Sequence, residues 1–172
     1  MNKQKQVIMA KMGFEKNRRI VRVYKNQPGH ETLGGREYFM RSKGERNWSR
    51  YLQFCLDNGV YRDIEYEVDL FVFEGVTRAP VCYRPDFKIT DSDGSIFYQE
   101  YKTVGNFYGS VNTKFRRMHY QYPKTPMELV LGHIPKRGKK ANRLRVARKY
   151  TRRIIDASQI FKQTKGLVKY IE

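Results

Sequence analysis

A chain of 172 residues, 40% of them hydrophobic and 14% aromatic, fits one domain with extensions and can pack a core. Thirty-five Lys and Arg against 17 Asp and Glu give a net charge of +18, which points to a polyanion, either nucleic acid or an anionic membrane. No apolar run approaches the ~20 residues of a membrane span, which favours nucleic acid. No Ser-His-Asp set, P-loop or Gly-x-Gly-x-x-Gly is present, which disfavours acyl transfer, nucleotide-driven chemistry and an organic cofactor.

Met1–Gln6 lacks the apolar core of a signal peptide. Met1 to about Arg22 reads as a mobile basic arm, with a short ordered piece at Ile20–Tyr24. Loops are marked by Asn26-Gln27-Pro28-Gly29 and by Gly34-Gly35, and residues 1–33 form the N-terminal division. The first helix is predicted over Ser42–Asn58, because Trp48, Tyr51, Leu52, Cys55 and Leu56 make one apolar stripe. Ser42 with Glu45 matches a capping box, and Asn58-Gly59 stops the helix. Glu45 therefore has two readings, a helix cap or an acid heading the buried stripe and facing the sheet.

A strand is predicted over Ile64–Glu74, followed by strands over Val81–Ile89 and Ser95–Val104 that complete an antiparallel meander. A loop at Asn106–Ser110 leads to a basic helix over Asn112–Tyr122, ended by Pro123. Its inward side is Val111, Phe115 and Met118. Its outward side is Lys114, Arg116, Arg117 and His119. Met127–His133 reads as a further strand. From Pro135 onward, Leu144, Ala147, Tyr150, Ile154 and Phe161 follow helical spacing among dense Lys and Arg, which predicts one amphipathic basic helix. Gly166–Ile171 reads as a small strand. Cys55 and Cys82 have apolar neighbours and no CxxC spacing, so both read as reduced, buried thiols in a cytoplasmic protein. His30, His119 and His133 stand alone, with no partner at metal or triad spacing.

The chemistry concentrates between Tyr83 and Lys102. Two apolar-aromatic runs flank Asp91-Ser92-Asp93-Gly94, a hairpin signal. Alternation puts Glu100 and Lys102 on one strand face, and pairing of the two strands brings Asp86 beside Glu100. Two carboxylates meeting at one point suit Mg²⁺ or Mn²⁺. The plainer reading pairs Asp86 with Arg84 or Lys88 and leaves Glu100 and Lys102 as an exposed ion pair.

Pro85-Asp86, a hairpin and Glu100-Tyr101-Lys102, preceded by an acidic helix start at Glu45, resemble the signature of the PD-(D/E)XK nuclease superfamily. The layout is similar to its phage-type endonucleases and Holliday-junction resolvases over roughly Gly34–His133. One departure is Thr103-Val104 before Gly105, where such proteins often place Gly directly after the lysine. The resemblance implies an α/β, restriction-endonuclease-like core over residues 34–134: helix, three-strand antiparallel meander, helix, strand. The basic arm precedes this core and the basic helical extension, residues 135–172, follows it. It implies catalytic roles for Glu45, Asp86, Glu100 and Lys102. Asp86, Glu100 and the Tyr101 carbonyl would hold Mg²⁺ or Mn²⁺, Glu45 a second ion or its water, and Lys102 the attacking water. The implied activity is metal-dependent DNA endonuclease, with branched DNA a candidate substrate and a homodimer expected, in bacterial cytoplasm or a phage-infected cell.

Binding to DNA is assigned to Lys114, Arg116 and Arg117 beside the site, and to Lys139, Lys140, Arg143, Arg145, Lys149, Arg152 and Arg153 on the extension. Phe107 and Tyr108 are loop aromatics that either stack on a base or cover the core. Two alternatives remain: a sequence-specific endonuclease, homing-like or cutting transposon ends, and a non-catalytic basic nucleic-acid-binding protein.

Overall fold

The computed structural model describes residues 27–172, so the basic arm and its ordered piece at Ile20–Tyr24 lie outside the described residues. In chain order the elements are β1 Gly29–Leu33, β2 Arg36–Met40, α1 Lys43–Asp57, β3 Tyr61–Tyr66, β4 Phe71–Val72, β5 Cys82–Tyr83 and β6 Phe87–Asp91. Then come β7 Ile96–Lys102, α2 Gly109–Gln121, β8 Met127–Leu131, α3 Gly138–Ala147, β9 Arg153–Asp156 and α4 Ala157–Gln163. The fold is mixed α/β. Its centre is a five-stranded sheet in the order β3-β6-β7-β8-β9, antiparallel as far as β7 and parallel beyond it.

Local chemistry explains why these residues take these forms. Ser42 caps α1, its Oγ accepting from the Glu45 N–H at 3.2 Å. Trp48, Leu52 and Cys55 follow at i, i+4 and i+7 and are buried. Gly59, at φ +68°, lets the chain leave the helix. Between β6 and β7 the Asp91 N–H donates to Ser95 O at 2.8 Å, and Gly94 takes φ +87°. The parallel strand β8 is buried at all five positions, as a strand covered on both faces must be.

Two apolar layers sandwich the sheet. Trp48 and Leu52 of α1 pack with Ile64, Phe87, Ile89, Phe97 and Tyr101 on one face. Val111, Phe115 and Met118 of α2 pack with Tyr83, Tyr98, Leu129 and Leu131 on the other, joined by Leu144 and Ala147 of α3. Each fully buried large side chain contributes about 1.5–3 kcal/mol. The C-terminal segment is tied to α1: Asn47 donates to Ile171 O at 3.1 Å and accepts from Ile171 N at 2.7 Å.

Several expectations need correction. The run Ile64–Glu74 is not one strand. The chain turns at Glu67, φ +50°, after β3, and resumes as β4 in a separate two-stranded sheet with β5. Its apolar Val68 and Leu70 are exposed, so the apolar count misled. Likewise Val81–Ile89 is two strands, broken at Arg84-Pro85-Asp86, where Pro85 has no N–H to give a ladder. The expected loop at Gly34-Gly35 is the turn of a β1–β2 hairpin over Gly29–Met40, and the loop marked at Asn26–Gly29 stops where β1 begins at Gly29. Gly34 and Gly35, at φ +58° and +74°, supply the hairpin's two-residue turn.

The single basic helix expected from Pro135 is α3, then β9, then α4. Ile154 and Ile155 pair in parallel with Leu129 and Val130, and two adjacent β-branched residues suit that edge better than a helix. Gly166–Ile171 forms no strand beyond an isolated bridge, Lys165 with Val168. Cys82 is exposed, and only Cys55 is a buried thiol. Phe107 is fully buried, which leaves Tyr108, 56% exposed, as the one loop aromatic open to a ligand.

Candidate functional site

The register sets the site. Phe87 pairs with Gln99, so the preceding residue, Asp86, comes opposite Glu100 on the next strand. Phe87 and Gln99 face the α1 layer. Asp86 and Glu100 face the other way, in a sheet that is otherwise Phe, Ile, Tyr and Leu. Both acids are buried, Asp86 at 4% exposure and Glu100 at 1%. Carboxylates this deep demand partners.

Lys102 is the common partner. Its Nζ lies 3.3 Å from Asp86 Oδ2 and 2.8 Å from Glu100 Oε1, and donates to Tyr101 O at 2.8 Å. The ammonium thus rests on the three oxygen groups that the sequence assigned to a divalent cation. Two backbone and side-chain donors finish the setting. The Tyr101 N–H donates to Asp86 Oδ2 at 2.7 Å, and the Tyr83 hydroxyl donates to Glu100 Oε2 at 2.9 Å. Lys114 of α2 reaches to 3.9 Å from Glu100 Oε1 and sits over the Tyr83 ring at 4.8 Å. Among the described residues Asp86 Oδ1 accepts no hydrogen bond.

The charge balance is visible in the proton affinities. Burial, together with the negative charge of Glu100, pushes Asp86 up to about 8, although Lys102 works against the rise. Burial opposes the charge of Lys102, but Asp86 and Glu100 outweigh it and hold the ammonium above the ordinary lysine range. Burial beside Glu100 also raises the Tyr83 phenol, keeping it a hydrogen donor.

Glu45 does not join this contact set. Its Oε2 accepts from the Arg41 N–H and from the Tyr66 hydroxyl, both at 3.1 Å, while its charge still helps to raise Asp86. No three His, Cys, Asp or Glu side chains gather into one cluster among the described residues. The donor set nevertheless fits a hard divalent cation in ligand type: two buried carboxylates, a carbonyl and one carboxylate oxygen without a hydrogen bond, with Lys102 and Lys114 as the present counter-charges.

Two contributors escaped sequence reasoning. Tyr83 stands three residues before Asp86, yet nothing local predicts that β5 turns its hydroxyl onto Glu100. Glu67 lies at the turn that was read as mid-strand. Burial and the nearby Glu45 raise its carboxyl while Arg41, its ion-pair partner, lowers it, and its N–H fixes the Asp86 carbonyl at 2.9 Å. A positive-φ glutamate has no reliable sequence signal.

Of the residues assigned to DNA, several are engaged within the protein. Arg117 donates to Pro80 O and lies over the Phe73 ring. Lys140 donates to Val104 O and Gly105 O, and Arg143 to Phe107 O, so both fasten the loop before α2. Arg152 and Arg153 pair with Glu128, and Arg145 donates to Asn142. Arg116, Lys139 and Lys149 are exposed. No helix among the described residues is long and apolar enough to cross a membrane. No protein-family model, curated protein or solved structure matches the chain.

Proposed function

We propose that this chain is a metal-dependent DNA endonuclease that hydrolyses phosphodiester bonds, built on a restriction-endonuclease-like core. One observation carries the reading: Asp86 and Glu100, buried in an apolar sheet, converge from two strands on a single lysine. A sheet tolerates such an acid excess when the acids have a cation to hold.

In this reading Asp86, Glu100 and the Tyr101 carbonyl hold Mg²⁺ or Mn²⁺, and Glu45 acts from its place near Asp86. The bound ion would supply a water of lowered pKa and charge compensation at the phosphorus. The chain's own groups do the rest. The Tyr83 hydroxyl and the Tyr101 N–H fix the two carboxylates. Lys102, charged at neutral pH, orients water or a phosphate oxygen once a substrate enters. Lys114, beside Glu100, meets the scissile strand's backbone. Branched DNA and a homodimer are part of the proposal.

The test is cleavage of a four-way junction and of linear duplex with Mg²⁺, by the wild type and by Asp86→Asn and Lys102→Ala. Cleavage should fall by about 10²-fold or more in each variant while DNA binding survives. Duplex of one particular sequence cut far faster than any junction would favour the sequence-specific alternative. A second reading has its own observation: Lys102 already contacts both acids, an arrangement a purely structural ion triad would also adopt. In that case the protein is a non-catalytic nucleic-acid binder, and the wild type cuts nothing with any divalent ion.

A further inference from the structure

Away from the acid pair, the far end of α2 and the chain leading into β9 form a cleft of about 220 Å³. Its walls include His119, Tyr122, Lys149, Tyr150 and Arg152, and no carboxylate lines it. The space is well beyond the ~10–15 Å³ that a single water needs. Beside it three rings cluster. His119 lies 5.1 Å from Tyr120 and 5.6 Å from Tyr150, and Tyr120 lies 6.3 Å from Tyr150, centroid to centroid. Tyr150 is half-buried against the α2-face core, whereas Tyr120 is 69% exposed and His119 is exposed too. Exposed aromatic rings beside cations are what a base and its phosphate require, although Arg152 is already paired with Glu128 and lies over the Phe97 ring. Lys149 has no acidic partner among the described residues.

We propose that this His119–Tyr120–Tyr150 cluster, with Lys149 and Arg152, binds unpaired nucleotides by stacking. This rests on the nucleic-acid part of the preceding reading and adds a second contact to it. The rings stand 57–77° from one another, so they form a cornered edge rather than a flat floor. Bases inside a duplex have both faces covered by their neighbours, and such an edge cannot reach them. An unpaired base presents a free face. The chain +18 charge and the absence of acids in the cleft favour a polyanion over an acidic-residue-free apolar ligand.

Geometry links this cleft to the acid pair. On β8, Met127 pairs with Tyr98 and Leu129 with Glu100, so the cleft begins two residues from the row of Glu100, about 7 Å away along the strand. On α2, Lys114 and His119 are five residues apart, about 7.5 Å along the axis. One helix thus offers a phosphate contact at one end and a stacking edge at the other.

The experiment measures fluorescence anisotropy of a labelled oligo-dT and of a labelled duplex, with chelator present so that nothing is cut. Tyr120→Ala should weaken oligo-dT binding about tenfold, the scale of one lost base stack, and leave duplex affinity unchanged. Tyr120→Phe keeps the ring and should bind as the wild type does. Equal loss on both probes, or none on oligo-dT, overturns the stacking proposal while the nuclease reading stands. If the wild type binds neither probe, the nucleic-acid reading itself fails and takes this proposal with it. Because Tyr120 is largely exposed, its removal should not unfold the protein, and an unchanged Tm checks that.

Discussion

Two groups of buried carboxylates share one sheet and differ in their arithmetic of charge. On the α1 face, Glu128 is fully buried and meets two arginines, Arg152 at 3.4 Å and Arg153 at 3.0 Å. Gln99 donates to it at 2.9 Å and in turn accepts from the Trp48 indole at 2.8 Å. That group ties β7, β8, β9 and α1 together, with more cation than anion. On the opposite face two acids close on one lysine, with a second lysine at the margin. The first group is cationic overall, although Glu128 Oε1 has no hydrogen-bond partner beyond its 3.4 Å ion pair with Arg152. The second sets two adjoining acids against Lys102 and Lys114, and burial beside Glu100 raises the proton affinity of Asp86. The contrast is between one acid clamped by two arginines and two adjoining acids that share their lysines.

The comparison can be broken at several points. The largest stability effect should come from the Glu128 group. Replacing Arg152 and Arg153 together with Met strands a buried carboxylate and should cost about 3 kcal/mol in urea unfolding, the low end for a broken buried pair because both arginines are half exposed. If unfolding is unaffected, the group is not structural.

Gly44→Ala acts on the other group indirectly. An added Cβ would run into the Tyr101 ring, so the ring next to the residue whose N–H holds Asp86 must move. Alanine normally stabilises a helix over glycine, yet here a net loss of about 1–2 kcal/mol is expected from overpacking. Thermal unfolding measures it, and a rise in Tm would refute the close fit.

A smaller effect sharpens the idea of an acid-rich pocket. Lys102→Met removes the ammonium that now rests on the oxygens of Asp86, Glu100 and Tyr101, and should tighten Mn²⁺ binding about tenfold by electron paramagnetic resonance titration, roughly 1.4 kcal/mol. Weaker binding would mean that the lysine helps to build the ion site rather than competing for it.

The pH dependence is the gentlest probe. Asp86 binds its proton more tightly folded than unfolded, where the ordinary value is 3.8. Its contribution to stability is therefore fully present below about pH 4 and is lost as pH rises through about 8. Chelated wild type should lose stability across that window, and Asp86→Asn should flatten the slope. Equal unfolding free energies from denaturant titrations of the chelated wild type at pH 5 and pH 8 would contradict the raised proton affinity of Asp86.

Much of this contrast was legible in the chain, but unevenly. The turn at Asp91–Gly94 and alternation along Ile96–Lys102 suffice to bring Asp86 opposite Glu100, because hairpin register is a local property. The α1 stripe and its Ser42 cap are local too. The Glu128 group was illegible: an acid in Met127–Leu131 reads as any strand residue until β9 is known, and β9 was hidden in a run whose spacing also suited a helix. Tyr83 and Glu67 depend on a positive φ and on a two-residue strand, features that tertiary packing decides. Basic residues such as Arg117 and Lys140 looked ready for phosphate by composition alone. Their nearest acceptors turned out to be carbonyls of neighbouring loops.

The change from antiparallel to parallel pairing at β7 has a consequence for the nascent chain. β6 and β7 meet across a four-residue turn and can pair as soon as residue 102 has emerged. The strands that flank β7 on its other side need two crossovers, through α2 and then α3, before they dock. Until then β7 presents an unsatisfied edge carrying Glu100 and Lys102 to water. During synthesis the pocket is thus outlined early and sealed late, and the slow, long-range closure of the sheet sets when the protein becomes competent.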